Sequence, residues 1–225
     1  MPIIYLLRHA QSTANSKGVL AGQDYSVELT KTGFDQAVNL VPKIETIKLV
    51  KIYSSPLTRC LQTIDPYMQK YPKTKFEINE NLIEMDYGSW SGRKLSALRR
   101  EPSWKKIQKS PSTYTFPDGE SFKSLRKRIE KSFASVANEK GPLLFVTHGD
   151  VIKMSLSIIA GVKTDDFQKF VVEPGSLSVI NLDVRSSSII SSNTSTPSRS
   201  SGIFRFGSLG GGDFLKKGRF FRRDA

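Results

Sequence analysis

Apolar and polar positions along the chain alternate between short buried strands and amphipathic helices. Two runs stand out. Ile3-Ile4-Tyr5-Leu6-Leu7 ends in Arg8-His9-Ala10-Gln11-Ser12, and Leu143-Leu144-Phe145-Val146-Thr147 ends in His148-Gly149-Asp150. Neither shows polar alternation, which marks a strand buried on both faces. Further strands are predicted at 49–53, 76–79 and 177–184, the last alternating as a sheet edge does. Thr30 is a helix N-cap ahead of an apolar face of Phe34, Ala37, Val38 and Val41, which Pro42 closes; Gly33 there allows close packing. Ser54-Ser55-Pro56 opens a helix that carries Arg59 one turn in and is stopped or kinked at Pro66. Phe122, Leu125, Ile129, Phe133 and Val136 recur at helical spacing through about residue 138. The apolar run 151–159 is a helix that Gly161 ends, and 165–170 is a short helical piece.

Strands and helices in this order suit an open α/β sheet, where ligands bind beyond the carboxyl ends of the strands. The chain has two histidines, and both fall at such ends. Arginine beside the first offers a fixed fork of donors for phosphate or carboxylate. Histidine can be a nucleophile, a general base or a metal ligand. Two histidines placed alike, one with an arginine, point to a shared site. Arg59 lies at a strand-loop-helix junction, where free N–H groups and the helix dipole favour anions. Glu84 and Asp86, two residues apart in a loop that Trp90 packs down, could supply one carboxyl with a raised pKa. The loop 15–28 is long enough to wrap the mouth of the site.

Arg8-His9-Ala10-Gln11-Ser12 together with His148-Gly149 resembles the histidine phosphatase superfamily, which includes the cofactor-dependent phosphoglycerate mutases. Three further segments match in order: Ser54-Ser55-Pro56-Leu57-Thr58-Arg59-Cys60-Leu61-Gln62-Thr63, then Asn81-Leu82-Ile83-Glu84-Met85-Asp86-Tyr87-Gly88-Ser89-Trp90-Ser91-Gly92, then Phe116-Pro117-Asp118-Gly119-Glu120-Ser121, which is similar to the phosphatase branch. The family usually has glycine where Ala10 stands, and a residue this small should keep the turn. The resemblance covers about residues 1–184. It implies a three-layer α/β sandwich with a mostly parallel central sheet between helices.

The resemblance also implies roles. His9 is the nucleophile of a phosphohistidine intermediate. Arg8, Arg59 and a protonated His148 bind the phosphate oxygens, and Glu84 is the proton donor, with Asp86 as fallback. Asn15 is a phosphate ligand, with Ser12 and the backbone at Gly22 and Gln23 weaker candidates of the same kind. The arginines and histidines supply the cation, so no metal is required, and two histidines and one cysteine offer no convincing metal set. The expected reaction is hydrolysis of a small phosphomonoester. The alternative is a mutase, primed by 2,3-bisphosphoglycerate, and a third reading is a non-catalytic phosphate-binding or scaffold protein. The stretch 94–115, basic with Arg99, Arg100, Lys105, Lys106 and Lys109, is expected to form short helices on the rim, anchored by Trp104 and Ile107.

Composition changes this picture only at the carboxyl end. The 225 residues fit one catalytic domain, 1–184, and a tail, 185–225. Residues 186–201 have the Ser, Thr, Asn and Pro content of a flexible linker. Beyond them basic and aromatic residues interleave, and the tail carries eight cations against two anions. It is a disordered segment, a strap that packs its phenylalanines on the domain, or a weak anchor for an anionic surface. The formal charge of +13 is shared between that tail and an anion-binding site, and no nucleic-acid motif accompanies it. Cys60, the single cysteine, excludes an intrachain disulfide and reads as a buried helix residue. With no spanning segment and no basic region before the first apolar run, the expected location is cytoplasmic. A homodimer is compatible with the sequence.

Overall fold

The computed structural model describes residues 2–183 and 187–195. The chain runs β1 (Ile3–Arg8), α1 (Thr13–Lys17), α2 (Lys31–Ile44), β2 (Lys51–Ser54), α3 (Thr58–Lys70), β3 (Phe76–Ile78), α4 (Leu95–Leu98), α5 (Pro102–Lys109), α6 (Phe122–Val136), β4 (Leu143–Thr147), α7 (Gly149–Ile159), β5 (Leu177–Asn181) and β6 (Ser188–Thr194), with short 3-10 turns such as Thr164–Lys169 between them. The strands form one sheet in the order β3-β2-β4-β1-β5-β6. The first four are parallel, β5 joins β1 antiparallel, and β6 joins β5 antiparallel.

Helices cover both faces, giving the expected three-layer α/β sandwich. On one face Leu7, Ile52, Leu144 and Val146 pack against Leu40, Val41 and Ile44 of α2 and Cys60, Ile64 and Tyr67 of α3. On the other, Ile4, Leu6, Leu143 and Phe145 pack against α6, α7 and the segment 82–116. All five residues of β4 are buried, each apolar one contributing about 1.5–3 kcal/mol. A central strand flanked by parallel neighbours has no wet face, and the apolar run in the sequence reflects that. Among the described residues no helix is long and apolar enough to cross a membrane.

Several expectations change. Helix α2 runs through Pro42 and α3 through Pro66. Each proline removes one interior hydrogen bond, but the buried residues on either side carry the helix past it. Phe34 and Val38 are 44% and 58% exposed, because the buried stripe of α2 is Gly33, Ala37, Leu40, Val41 and Ile44. A side chain at Gly33 would strike the Gln11 carbonyl at 2.1 Å, so glycine does serve close packing there. Helix α3 begins at Thr58, with Leu57 as its cap.

The largest difference is at the carboxyl end. The expected boundary at 184, and the expected linker where it runs over 188–194, give way to β6, so β5 is not the edge. Strand pairing uses the backbone, which a Ser- and Thr-rich stretch supplies as well as any other. Burial alternates along β6, with Ile189 packed against the larger core cluster. The expectations for the tail beyond residue 195 lie outside the described residues.

Candidate active site

Register brings the two histidines together. Arg8 of β1 pairs with Thr147 of β4, so the next residues, His9 and His148, leave adjacent strand ends. Neighbouring strands lie about 4.8 Å apart, and the two rings sit 5.2 Å apart by centroid. Strand β2 flanks β4 on the other side, with Ser54 opposite Val146. That places Ser55 beside His148 and the start of α3, with Arg59, above the same edge.

His9 is 3% exposed and lines a cavity of about 330 Å³ with Arg8, Arg59 and Glu84. Its Nδ1 lies 2.8 Å from the Ala10 carbonyl. A carbonyl only accepts, so Nδ1 carries the proton and Nε2 keeps its lone pair. Burial, reinforced by Arg59 and Arg8, holds the imidazole well below its usual pKa. A neutral ring with an oriented Nε2 lone pair is a nucleophile. Ala10 fits without strain; it is absent from the positive-φ residues, and its N–H donates to Thr63 Oγ1.

His148 is fully buried and stands beside His9, behind the cavity wall. Its Nε2 lies 2.7 Å from Ser55 Oγ and 3.4 Å from Cys60 Sγ. Ser55 Oγ also receives the Leu57 N–H. The expectation of a protonated His148 is corrected: burial first, then Arg59 and His9, hold it well below its usual pKa. Cys60 is buried as expected, its thiol pushed up to about 12 by burial.

The arginines carry the positive charge. Arg59, 1% exposed, spends Nη1 on the Asp24 carbonyl and Nη2 on the Gly22 carbonyl. Arg8 spends Nη1 on the Val172 carbonyl. Among the described residues, the buried Nε of each has no partner. An unpaired buried donor costs about 1–3 kcal/mol, and an anion is what would satisfy two of them at once. Gly149 opens α7, and a Cβ there would sit 3.3 Å from the Arg8 guanidinium carbon. The missing side chain lets Arg8 lie over the helix N-terminus, so guanidinium and dipole add at one point.

Glu84 is the acid end. It is 8% exposed, and burial together with Asp150 raises its carboxyl to about 7. Its loop is braced from behind. Gln23 Nε2 and Arg128 Nη2 both donate to the Glu84 carbonyl. Arg128 also holds the Asn81 carbonyl and pairs with Glu120 at 2.8 Å. Glu120 Oε1 in turn accepts the Asp86 N–H. Asp86 does not line the cavity; its Oδ1 accepts the Gly88 N–H, which leaves Glu84 as the donor.

The family model for the histidine phosphatase superfamily (branch 1) matches residues 4–195. The chain belongs to that superfamily. It is 26% identical over 196 residues to phosphoserine phosphatase 1 of Hydrogenobacter thermophilus, covering 84% of this chain and 91% of that one. It is 27% identical over 188 residues to the 2,3-bisphosphoglycerate-dependent phosphoglycerate mutase of Thermoplasma acidophilum, covering 82% and 89%. Among solved structures, phosphoserine phosphatase from Entamoeba histolytica superposes with a TM-score of 0.75 at 24% identity, covering 87% and 98%; that likeness concerns the fold.

Measured against the histidine phosphatase expectations, Arg8, His9, Arg59, Glu84 and His148 do converge. Ser12 and Asn15 line the cavity, but their side chains cap α1 for each other: Asn15 Oδ1 accepts from Ser12 N and Oγ. Only the Asn15 Nδ2 remains for a phosphate. Gly22 lines the cavity and acts through its carbonyl on Arg59, whereas Gln23 stands outside the wall and braces Glu84. Asp150, Tyr87 and Arg128 were not singled out from the sequence. Tyr87 Oη donates to Asp150 Oδ2 at 2.8 Å, and Asp150 acts on Glu84 through charge. Asp150 could have been found, since it follows His148-Gly149 directly; Arg128 could not, being one of many basic residues on its helix.

Proposed function

We propose that the protein hydrolyses phosphomonoesters through a phosphohistidine on His9. The observation that carries this is the pairing of an oriented, neutral His9 Nε2 with two buried arginine Nε donors in one cavity. Nε2 attacks phosphorus, the N–P bond forms, and the P–O bond to the alcohol breaks. Arg8 and Arg59 hold the phosphoryl oxygens, the α7 N-terminus adds its dipole, and His148 stands behind them against His9. A bound dianion also draws His148 towards its charged form. Glu84, protonated near neutrality, gives its proton to the departing oxygen. The resulting carboxylate takes a proton from water as that water attacks phospho-His9, releasing phosphate and restoring the starting state. No step requires a group beyond these side chains.

A mutase uses the same centre, and the 27% identical relative bears that name. A bisphosphorylated intermediate needs a second anion site. Among the described residues the cavity offers one cation beyond the phosphate end, Lys153, already 3.4 Å from Asp150. This favours hydrolysis. The test is to supply 3-phosphoglycerate with a trace of 2,3-bisphosphoglycerate, and separately an aryl phosphate, following 2-phosphoglycerate and free phosphate together. Free phosphate that His9→Ala abolishes supports the hydrolase. Fast 2-phosphoglycerate with little phosphate would make it a mutase. Neither product would leave the non-catalytic reading.

A further inference from the structure

The cavity has two unlike ends. Away from Arg8, His9 and Arg59 its wall is mainly Leu20, Trp90, Leu95, Trp104, Ile107 and Phe116, with the uncharged amides of Gln108 and Gln168 beside them. The aromatic members are fixed against one another. Trp90 meets Phe116 edge-on at 5.4 Å and lies parallel to Trp104, within 6°, at 6.4 Å between ring centroids. Trp90 and Ile107 are buried at 5% and 4% exposure, so this wall is built, not an accident of loose loops. Among the described residues its one cation, Lys153, already faces Asp150 Oδ1 and donates to Gln168 Oε1 at 3.0 Å. The cations of 94–109 are elsewhere: Arg99, Arg100, Lys105, Lys106 and Lys109 are all exposed, and none lines the cavity.

We infer that the site selects phosphomonoesters of apolar, preferably aromatic, alcohols that carry no second strongly charged group. The inference rests on the phosphatase reading and specifies its substrate class. A ring set among these side chains removes apolar surface from water on both sides. A second phosphate, or the polyhydroxyl edge of a sugar, would shed its hydration against carbon and find one cation already shared. The apolar wall lies on the leaving-group side, so it chooses the alcohol and leaves the phosphoryl chemistry unchanged.

The test must keep the leaving group constant, because an aryl phosphate reacts faster for chemical reasons alone. 2-Phenylethyl phosphate, glycerol 1-phosphate, 3-phosphoglycerate and O-phosphoserine all release a primary alkoxide. The readout is the ratio of kcat/KM between them, which does not depend on how much of a variant is folded. The expected result is a preference for 2-phenylethyl phosphate of about tenfold or more over each of the others. Trp104→Ala should shrink that ratio at least about fivefold, mostly through KM, and Leu95→Gln should act in the same direction. Turnover of all four with the polar esters equal or better overturns the substrate class and leaves the phosphatase standing. An undiminished ratio in both variants also overturns it. No phosphate released from any ester, or from an aryl phosphate, removes the phosphatase reading itself and this inference with it.

Discussion

The phosphate end and the alcohol end of one cavity are built on opposite principles. The phosphate end gathers two arginines, two histidines and a carboxyl from the ends of adjacent parallel strands and the first turns that follow them. Arg8, Arg59 and His9 are held there by backbone carbonyls, and Glu84 Oε1 accepts the Met85 N–H. The alcohol end is made by the segment between β3 and α6, and holds its shape by aromatic packing. In the proposed reading the first end fixes the reaction and the second selects the alcohol. A charged centre held by backbone groups is rigid and general, since every phosphomonoester presents the same phosphoryl group. A wall of side chains on short helices can change its lining without disturbing the centre.

The comparison breaks most completely if the centre is removed. His9→Ala should cost at least about a thousandfold in kcat with any phosphomonoester and abolish acid-labile phosphorylation of the protein, read by labelling with a radioactive phosphate ester. Comparable labelling in that variant would place the nucleophile elsewhere. Glu84→Gln comes next, at about 10²–10⁴ in kcat for an alkyl ester. The loss should be smaller in the first step with 4-nitrophenyl phosphate, whose phenolate needs no proton to depart, so a burst of 4-nitrophenol is expected. An equal loss in that step for both esters would deny Glu84 the role of acid.

The pH dependence follows from the same group. Glu84 is raised to about 7, so its donating form dominates below that pH and is lost above it. With an alkyl ester kcat/KM should fall as pH rises through about 7, and Glu84→Gln should remove that limb. An unchanged alkaline limb in the variant assigns it to another group.

Smaller effects sharpen the boundary between the two ends. Arg128→Ala leaves Glu120 without its ion pair, takes the Arg128 donor from the Asn81 carbonyl and leaves the Glu84 carbonyl to Gln23 alone. It should destabilise by about 1–3 kcal/mol, seen as a lower Tm. It should also reduce kcat by about tenfold with little change in KM, because the loop carrying the acid loosens. A change confined to Tm would make Arg128 purely structural. Lys105→Ala with Lys106→Ala lies at the bottom of the scale. Both residues are exposed, so activity should stay within about twofold and stability within about 0.5 kcal/mol. A large loss would return these cations to substrate binding and undo the contrast.

The strand ends were legible because burial leaves a plain trace. An apolar run that stops at Arg8-His9 or at His148-Gly149 says both that a strand ends and that something polar is wanted there. The helix cap at Thr30 was legible for a similar local reason, its side chain closing the Gly33 N–H within its own turn. The basic stretch 94–115 reads from sequence as short rim helices anchored by Trp104 and Ile107, and α4 and α5 stand there; composition, which counts side chains without their direction, did not say where its cations point. On α5 the exposed lysines and the inward Trp104 and Ile107 alternate within two turns.

The sequence by itself determined the family, the α/β order, and the chemistry at the ends of β1 and β4, all of which depend on residues close together in the chain or on motifs in fixed order. Only the tertiary structure decided that β4 lies between β1 and β2, so that His9, His148, Ser55 and Arg59 share one edge. It also decided that Glu84, not Asp86, faces the cavity, that Arg128 and Glu120 hold its loop, that residues 188–194 complete the sheet, and that the alcohol end is apolar. Each of these is a contact between positions far apart in sequence. Strand order, carboxyl desolvation and side-chain direction are set by the packed neighbours, and a one-dimensional pattern carries no record of them.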